Sequence, residues 1–148
     1  MIISEKHIKI LRAEICPYCN SSTKRVDEKF IYGRYYKNKD VICCSKYPEC
    51  DSFVGCHKDG TPLGRLANKE LRILKTEAHM HFDNIWQHKY YSRSRLYQKL
   101  SFYLNIPEKY THIEMFSKET CLKVIGWSKN LIKNIDVSQC DATEIDIY

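Results

Sequence analysis

The strongest indication of the fold is a pair of cysteine motifs, Cys16-Pro17-Tyr18-Cys19 and Cys44-Ser45-Lys46-Tyr47-Pro48-Glu49-Cys50. Structural zinc takes four tetrahedral ligands, which are commonly two cysteine pairs presented by two segments of the chain. A C-x-x-C pair alone also occurs in redox proteins, but a second cysteine cluster after a strand-rich loop favours zinc. The spacing therefore predicts one structural zinc ion in a small ribbon.

The identity of the third ligand is open at this level. Neighbouring side chains in a strand point to opposite faces, so only one of Cys43 and Cys44 can face the metal. Cys56 and His57 follow closely and are either competing ligands or spare groups. The residue pattern alone leaves these alternatives unresolved.

Composition narrows the class of protein. The chain has 148 residues and is 43% hydrophobic, which is enough for a small metal-stapled module and a helical one. No apolar run approaches the roughly 20 residues of a membrane helix, and the N-terminal segment is too charged for a signal peptide. We therefore expect a cytoplasmic protein with no membrane partner, in which eight cysteines favour metal binding over disulfides.

Two modules are predicted along the chain. Residues 8–60 contain short, β-branched and aromatic segments separated by turns, which is typical of strands. A breaker cluster follows at Lys58-Asp59-Gly60-Thr61-Pro62, so we predict a zinc-ribbon module over 1–60 and a helical module over 61–148. The expected fold is α+β, with an N-terminal β zinc ribbon packed on a C-terminal bundle of about three helices.

Apolar residues recur at helical spacing after residue 65 and predict helices near 65–89, 93–104 and 118–134. Pro107 separates the second helix from the third. The residues expected to face inward are Ala67, Leu71, Leu74, Ala78, Phe82, Ile85, Leu96, Leu100, Tyr103, Leu104, Cys121, Leu122, Ile125, Leu131 and Ile132.

The segment Cys44-Ser-Lys-Tyr-Pro-Glu-Cys50 resembles the zinc ribbons at the C-termini of bacterial type I topoisomerases, which carry a Cys-Ser-x-Tyr-Pro-x-Cys turn. The resemblance covers about residues 14–55. It implies that Cys16, Cys19, Cys44 and Cys50 are the ligands, and that Cys43 is a small buried residue. Topoisomerase ribbons of this kind bind single-stranded DNA.

Most of the chain, from Cys16 to about Ile125, is also similar to a family of bacterial and phage zinc-finger-containing proteins of unassigned function. The similarity rests on CPYC, on YPECDSFVGCHKDGTPLGRLANKELR, on the AH and FD pairs at 78–79 and 82–83, on Trp86, and on HIEMF. It implies a shared fold and a phage or prophage setting in a bacterial host cell, but no reaction. Glu114 departs from the family pattern, where a small residue is expected.

Nucleic acid is the partner that charge and aromatic content favour. The formal net charge is +6, and single strands are held by cations and by rings that stack on bases. The alternatives are that Tyr32, Tyr35 and Phe53 form the core of the ribbon, and that the basic helix face is only solvated. The candidate nucleic-acid-binding residues are Arg34, Tyr36, Lys37, Tyr47, Arg65, Lys69 and Arg72.

Two other functions stay open. A metal-dependent phosphodiesterase or nuclease would need a general base. The similarity to the zinc-finger-containing family implies His57, His79 and His112 as the candidates, because these histidines lie at matching positions. Alternatively, a rigid zinc ribbon can serve as an adaptor or as an inhibitor of a host protein, with Trp86, Tyr90 and Tyr91 as anchors if they are exposed. No catalytic motif in the sequence is complete.

Overall fold

The computed structural model describes the backbone of residues 3–147 and the side chains of residues 3–135. It confirms the predicted α+β class, with a small antiparallel sheet in the N-terminal part and helices that pack together in the C-terminal part. The elements are α1 Glu5–Leu11, β1 Thr23–Val26, α2 Glu28–Tyr32, β2 Val41–Cys44, β3 Phe53–Gly55, α3 Lys69–Gln87, α4 Arg93–Leu104 and α5 Lys118–Ile147, with short 3-10 turns at Glu108–Tyr110 and Ile113–Met115.

The sheet has the order β1-β2-β3, and both pairs are antiparallel. Cys43 lies opposite Lys24 of β1 and opposite Phe53 of β3. Because side chains alternate along a strand, this register divides the sheet into two faces. One face packs Ile42, Cys44 and Val54 into a core with Ala13, Cys16, Cys56 and Leu66. Cys43 and Phe53 point to the opposite face.

Two segments that we predicted to be strands and turns are helices. The helix α1 begins where the Ser4 side chain accepts a hydrogen bond from the His7 amide. The helix α2 begins at the equivalent cap on Asp27 and ends at Gly33, whose φ of 73° suits glycine. These helices have seven and five residues, which are too few to show a helical period. In such short segments, the capping residues are the sequence feature that indicates a helix.

The three predicted C-terminal helices are present, and α4 spans the predicted 93–104. The helix α3 starts later than the predicted residue 65, because the backbone of Ala67 pairs with that of Phe53 as a β-bridge. The helix α5 continues to Ile147, beyond the predicted residue 134, and residues 135–147 contain no glycine or proline to end it. Tyr103 and Leu122, which we expected to face inward, are exposed.

The chain forms two compact units. The first unit comprises the chain up to Ile73 together with Glu114–Phe116, and the second comprises Leu74–Ile113 and the chain from Ser117. In the second unit, the Phe82 ring is fully buried, 4.7 Å from the Tyr97 ring and 6.4 Å from the Trp127 ring between centroids. The predicted module boundary between residues 60 and 61 stays a prediction. Among the described residues, no helix has the length and apolar character needed to cross a membrane.

Candidate metal centre and aromatic surface

Four cysteine sulfur atoms, those of Cys16, Cys19, Cys44 and Cys50, lie within 4.8 Å of one another. The sulfur of Cys16 is 3.6 Å from that of Cys50, and the sulfur of Cys19 is 3.4 Å from that of Cys44. Zinc–sulfur bonds of about 2.3 Å in a tetrahedron separate the sulfur atoms by about 3.8 Å. The cluster therefore has the donor atoms and nearly the spacing of a zinc tetrathiolate site.

Three pieces of backbone hold this cluster. Cys16 and Cys19 lie in a tight turn, closed by a hydrogen bond from the Asn20 amide to the Cys16 carbonyl. Cys44 is the last residue of β2, and Cys50 ends the turn that follows it. Cys43 is fully buried on the other face of the sheet, so the structure places Cys44 and not Cys43 in the cluster.

A residue that the sequence pattern did not indicate completes the site. Ser52 is fully buried, and its hydroxyl lies 3.3 Å from the Cys16 sulfur and 3.5 Å from the Cys50 sulfur. The Lys46 amide is 3.4 Å from the Cys44 sulfur. Such donors stabilise the negative charge of thiolate ligands and fix their orientation. Serine is common in turns, so no local pattern distinguishes Ser52.

Cys56 and His57 lie outside the cluster. Cys56 is buried in the adjoining core, where its neighbours include Val54 and Leu66. His57 is exposed in a turn, and its backbone amide donates to the Thr61 carbonyl. Among the residues with described side chains, the four cysteines are the group placed to hold a metal ion.

Comparison with known proteins identifies the family to which the chain belongs. A family described as a zinc-finger-containing domain matches residues 12–131, which is most of the chain, and the chain belongs to that family. Neither curated proteins nor solved structures gave a match. The family description and the four clustered sulfur atoms together confirm the predicted cofactor: the protein holds one structural zinc ion.

An aromatic surface covers the other face of the sheet. We define it as Phe30, Tyr32, Tyr36, Tyr47 and Phe53, whose rings form a continuous chain of contacts. The Phe53 ring centroid is 5.7 Å from that of Tyr32 and 6.3 Å from that of Tyr47. Phe30 is 53% exposed and Tyr36 is 49% exposed, so these rings are available to a partner.

Lysines flank this surface. The ammonium group of Lys24 lies 5.3 Å from the Phe30 ring centroid, and that of Lys37 lies 5.4 Å from the Tyr36 ring centroid. Beside the surface, Lys29 lies 5.9 Å from the ring of Tyr35, which is 56% exposed. Tyr32 and Tyr35 are both exposed, so the alternative that they form the core of the ribbon is wrong for these two residues. Phe53, the third residue of that alternative, is half-buried.

The predicted nucleic-acid-binding arginines differ in what they contact. Arg34 is exposed in the turn after α2. Arg65 donates from Nε to the Met115 carbonyl at 2.8 Å. Arg72 donates to the carbonyls of Asp51 and Ala67, and its guanidinium lies 4.1 Å from the Phe53 ring centroid. Arg65 and Arg72 therefore make contacts within the protein that support its fold.

The remaining candidate nucleic-acid-binding residues also differ in their exposure. Lys69 is exposed at the start of α3, and its backbone amide donates to the Asp51 carboxylate at 3.2 Å. Tyr47 is half-buried between the rings of Phe30 and Phe53. Lys75, another basic residue of α3, is only 5% exposed. The cations that stand beside exposed rings are thus mainly those of residues 24–37.

The three candidate catalytic histidines are divided between the two units. His57 belongs to the first unit, whereas His79 and His112 belong to the second. The His79 Nδ1 atom is 3.4 Å from the Asp83 carboxylate, whose other oxygen accepts a hydrogen bond from the Trp86 indole. Partial desolvation of its ring and the nearby Arg93 lower the pKa of His112. Trp86, Tyr90 and Tyr91 are half-buried.

Proposed function

We propose that this protein binds single-stranded or distorted DNA or RNA through the aromatic surface. The observation that carries the proposal is the exposure of Phe30, Tyr32 and Tyr36 on the sheet face opposite the zinc cluster. Unpaired bases stack on exposed aromatic rings, and each stacked base contributes about 1–3 kcal/mol. Paired bases present only their edges, so a regular duplex cannot use these rings in the same way.

The lysines supply the second requirement. Lys24, Lys29 and Lys37 each lie over an exposed ring. A base that stacks on such a ring brings its phosphate close to the neighbouring ammonium group. Neutralising phosphates releases counterions, so affinity falls as salt rises. The net charge of +6 acts in the same direction over longer distances.

In this proposal the zinc ion is a scaffold. Cys44 and Cys50 enclose the turn that carries Tyr47, and Tyr47 packs between Phe30 and Phe53. A metal that binds both ends of that turn therefore also fixes the position of the Tyr47 ring, which supports the exposed ring of Phe30. The setting that accompanies the proposal is the cytoplasm of a bacterial host. The bacterial host and the phage or prophage origin rest on the sequence resemblance alone.

Fluorescence anisotropy with labelled oligonucleotides over a salt series tests the proposal. A single strand should bind more tightly than its duplex, and its affinity should fall steeply with salt. Tyr36→Ala and Phe30→Ala should each weaken binding about 5- to 100-fold, as expected for loss of a stacked base. Phe102→Ala is the matched control, because Phe102 is an aromatic residue of the second unit with 90% exposure.

If the zinc-loaded protein binds neither oligonucleotide at low salt, the proposal is wrong. Losses that are equal for Tyr36→Ala and Phe102→Ala would also contradict it, because the binding would then not depend on the aromatic surface. In the first case the adaptor hypothesis gains support, since Phe102 is the most exposed large hydrophobic residue with a described side chain. A nuclease assay with His79→Ala tests the remaining alternative.

A further inference from the structure

One carboxylate organises the turn that carries Tyr36. Glu28 is only 2% exposed, although glutamate is usually a surface residue. Its Oε1 atom accepts hydrogen bonds from the backbone amides of Tyr36 and Asn38, both at 2.8 Å. The amide of Lys37 lies 3.3 Å from both carboxylate oxygens. Three successive backbone donors thus converge on one acidic side chain.

This convergence ties the backbone of residues 36–38 to the helix α2, which carries Glu28. The segment begins at Gly33 and ends at Asn38, and both have positive φ angles, of 73° and 55°. Burial alone would raise the pKa of Glu28, but the amides of Tyr36, Asn38 and Lys37 outweigh it and lower the pKa. Glu28 is therefore ionised at neutral pH, and successive amides that surround an anion form a rigid nest.

The nest presents Tyr36 and Lys37. The Tyr36 ring meets the Tyr32 ring edge-on, with centroids 5.0 Å apart, and the Lys37 ammonium lies 5.4 Å from the Tyr36 centroid. A flexible turn would have to be ordered when a ligand binds, and this ordering costs conformational entropy and weakens binding. A turn already held by Glu28 avoids that cost.

We infer that Glu28 is a positioning residue for ligand binding by the aromatic surface: its carboxylate holds the 33–38 turn so that Tyr36 and Lys37 are presented to a nucleic-acid strand. This inference rests on the proposed function. It predicts that removing the Glu28 charge lowers the affinity for a nucleic-acid strand, whereas simple electrostatics predicts a higher affinity. Removing a negative charge near an anionic ligand should strengthen binding. Weakening the charge-assisted hydrogen bonds that hold the turn should instead weaken it.

Glu28→Gln and Glu14→Gln separate these effects. Glu14 is an exposed glutamate of the same unit, so its substitution removes the same charge without disturbing the turn. Binding of a labelled single-stranded oligonucleotide should weaken about three- to tenfold in Glu28→Gln. It should stay the same or become slightly tighter in Glu14→Gln. Hydrogen exchange should show faster exchange at the amides of residues 36–38 in Glu28→Gln alone.

A double-mutant cycle with Tyr36→Ala tests whether Glu28 acts through the turn. If it does, Glu28→Gln should cost clearly less affinity once the Tyr36 ring is gone, because only its effect through Lys37 then remains, whereas a general loss of structure would give additive effects. Zinc content and thermal unfolding identify a variant that fails to fold, and Glu28→Asp, which keeps the charge but shortens the reach, then takes its place with the same expected weakening.

Several outcomes would overturn the inference. It is wrong if Glu28→Gln binds as tightly as the wild type or more tightly, or if its loss adds in full to that of Tyr36→Ala. The proposed function fails in a different way, because wild-type protein would then not bind, or Tyr36→Ala would bind like the wild type. Failure of Glu28→Gln alone therefore leaves nucleic-acid binding intact.

Discussion

Gly64 packs directly against the backbone of Glu114, so closely that a Cβ atom on Gly64 would lie 2.0 Å from the Glu114 carbonyl oxygen. The next residue strengthens the same contact, because Arg65 donates a hydrogen bond to the Met115 carbonyl. Phe116, which follows, is buried. The segment Glu114–Phe116 thereby belongs to the first compact unit although it lies far along the chain. The contact uses the main chain of Glu114 and not its side chain.

Gly64→Ala should therefore destabilise the first unit strongly. Backbone cannot move aside as the end of a flexible side chain can, so we expect a loss of about 3 kcal/mol or more in the free energy of unfolding. Gly126→Ala is the matched control, because a Cβ there meets no atom within 4 Å and the position is exposed within α5. It should stabilise the helix by about 0.5–1 kcal/mol. Chemical denaturation of the zinc-loaded proteins measures both changes, and an unchanged Gly64→Ala midpoint would contradict the contact.

Parts of this architecture can be read from the sequence because short-range rules determine them. The limits of α4 follow from helical periodicity between Ser92, which caps it, and Asn105. The cysteine spacing predicts the zinc ion because four thiolates at two turns suit a single metal. By contrast, Glu28 gains its role from amides eight to ten residues away, and Gly64 from a segment that the chain reaches much later. Such partners depend on tertiary structure, and neither residue has a local pattern that indicates them.

Ser52→Ala should weaken zinc binding without removing it. The buried hydroxyl lies 3.3 Å from the Cys16 sulfur and 3.5 Å from the Cys50 sulfur, and loss of groups that support metal ligands typically costs 10- to 100-fold in affinity. We expect a loss near the lower end, about tenfold, because the four ligands remain. Competition with a chromogenic chelator measures it. Ser45→Ala, at an exposed serine beside Cys44, should bind zinc like the wild type, and equal effects of the two changes would contradict the role of Ser52.

Cys43 and Cys44 are adjacent in the chain, so their serine variants form a matched pair that tests the metal centre. Cys44→Ser should reduce the zinc content well below one ion per chain, whereas Cys43→Ser should keep it, because Cys43 lies on the opposite face of the sheet. Metal analysis of the purified variants measures the difference. Comparable zinc loss in both variants would show that the structure assigns the third ligand wrongly.

Removing the metal should affect the two units unequally. Binding of structural zinc contributes directly to folding, so a chelator should unfold the ribbon. Both tryptophans, Trp86 and Trp127, belong to the second unit, and their fluorescence therefore reports on that unit alone. We expect amides of β1, β2 and β3 to lose exchange protection while tryptophan emission changes little. Simultaneous loss of both signals would contradict independent stability of the second unit, and retention of both would contradict a structural role for zinc.

The imidazole of His112 should titrate below the ordinary histidine pKa of about 6.5. Although His112 is exposed, partial desolvation of its ring and the positive charge of Arg93 disfavour the protonated form and lower the pKa. Between the folded and unfolded pKa values the unfolded chain binds more protons, so this contribution to stability is present above pH 6.5 and is lost as the pH falls. An NMR titration measures the midpoint. Arg93→Ala should raise it by removing the charge, whereas Arg95→Ala, at a second exposed arginine of α4, should leave it unchanged. A His112 midpoint above 6.5, or equal responses to the two substitutions, would contradict this account.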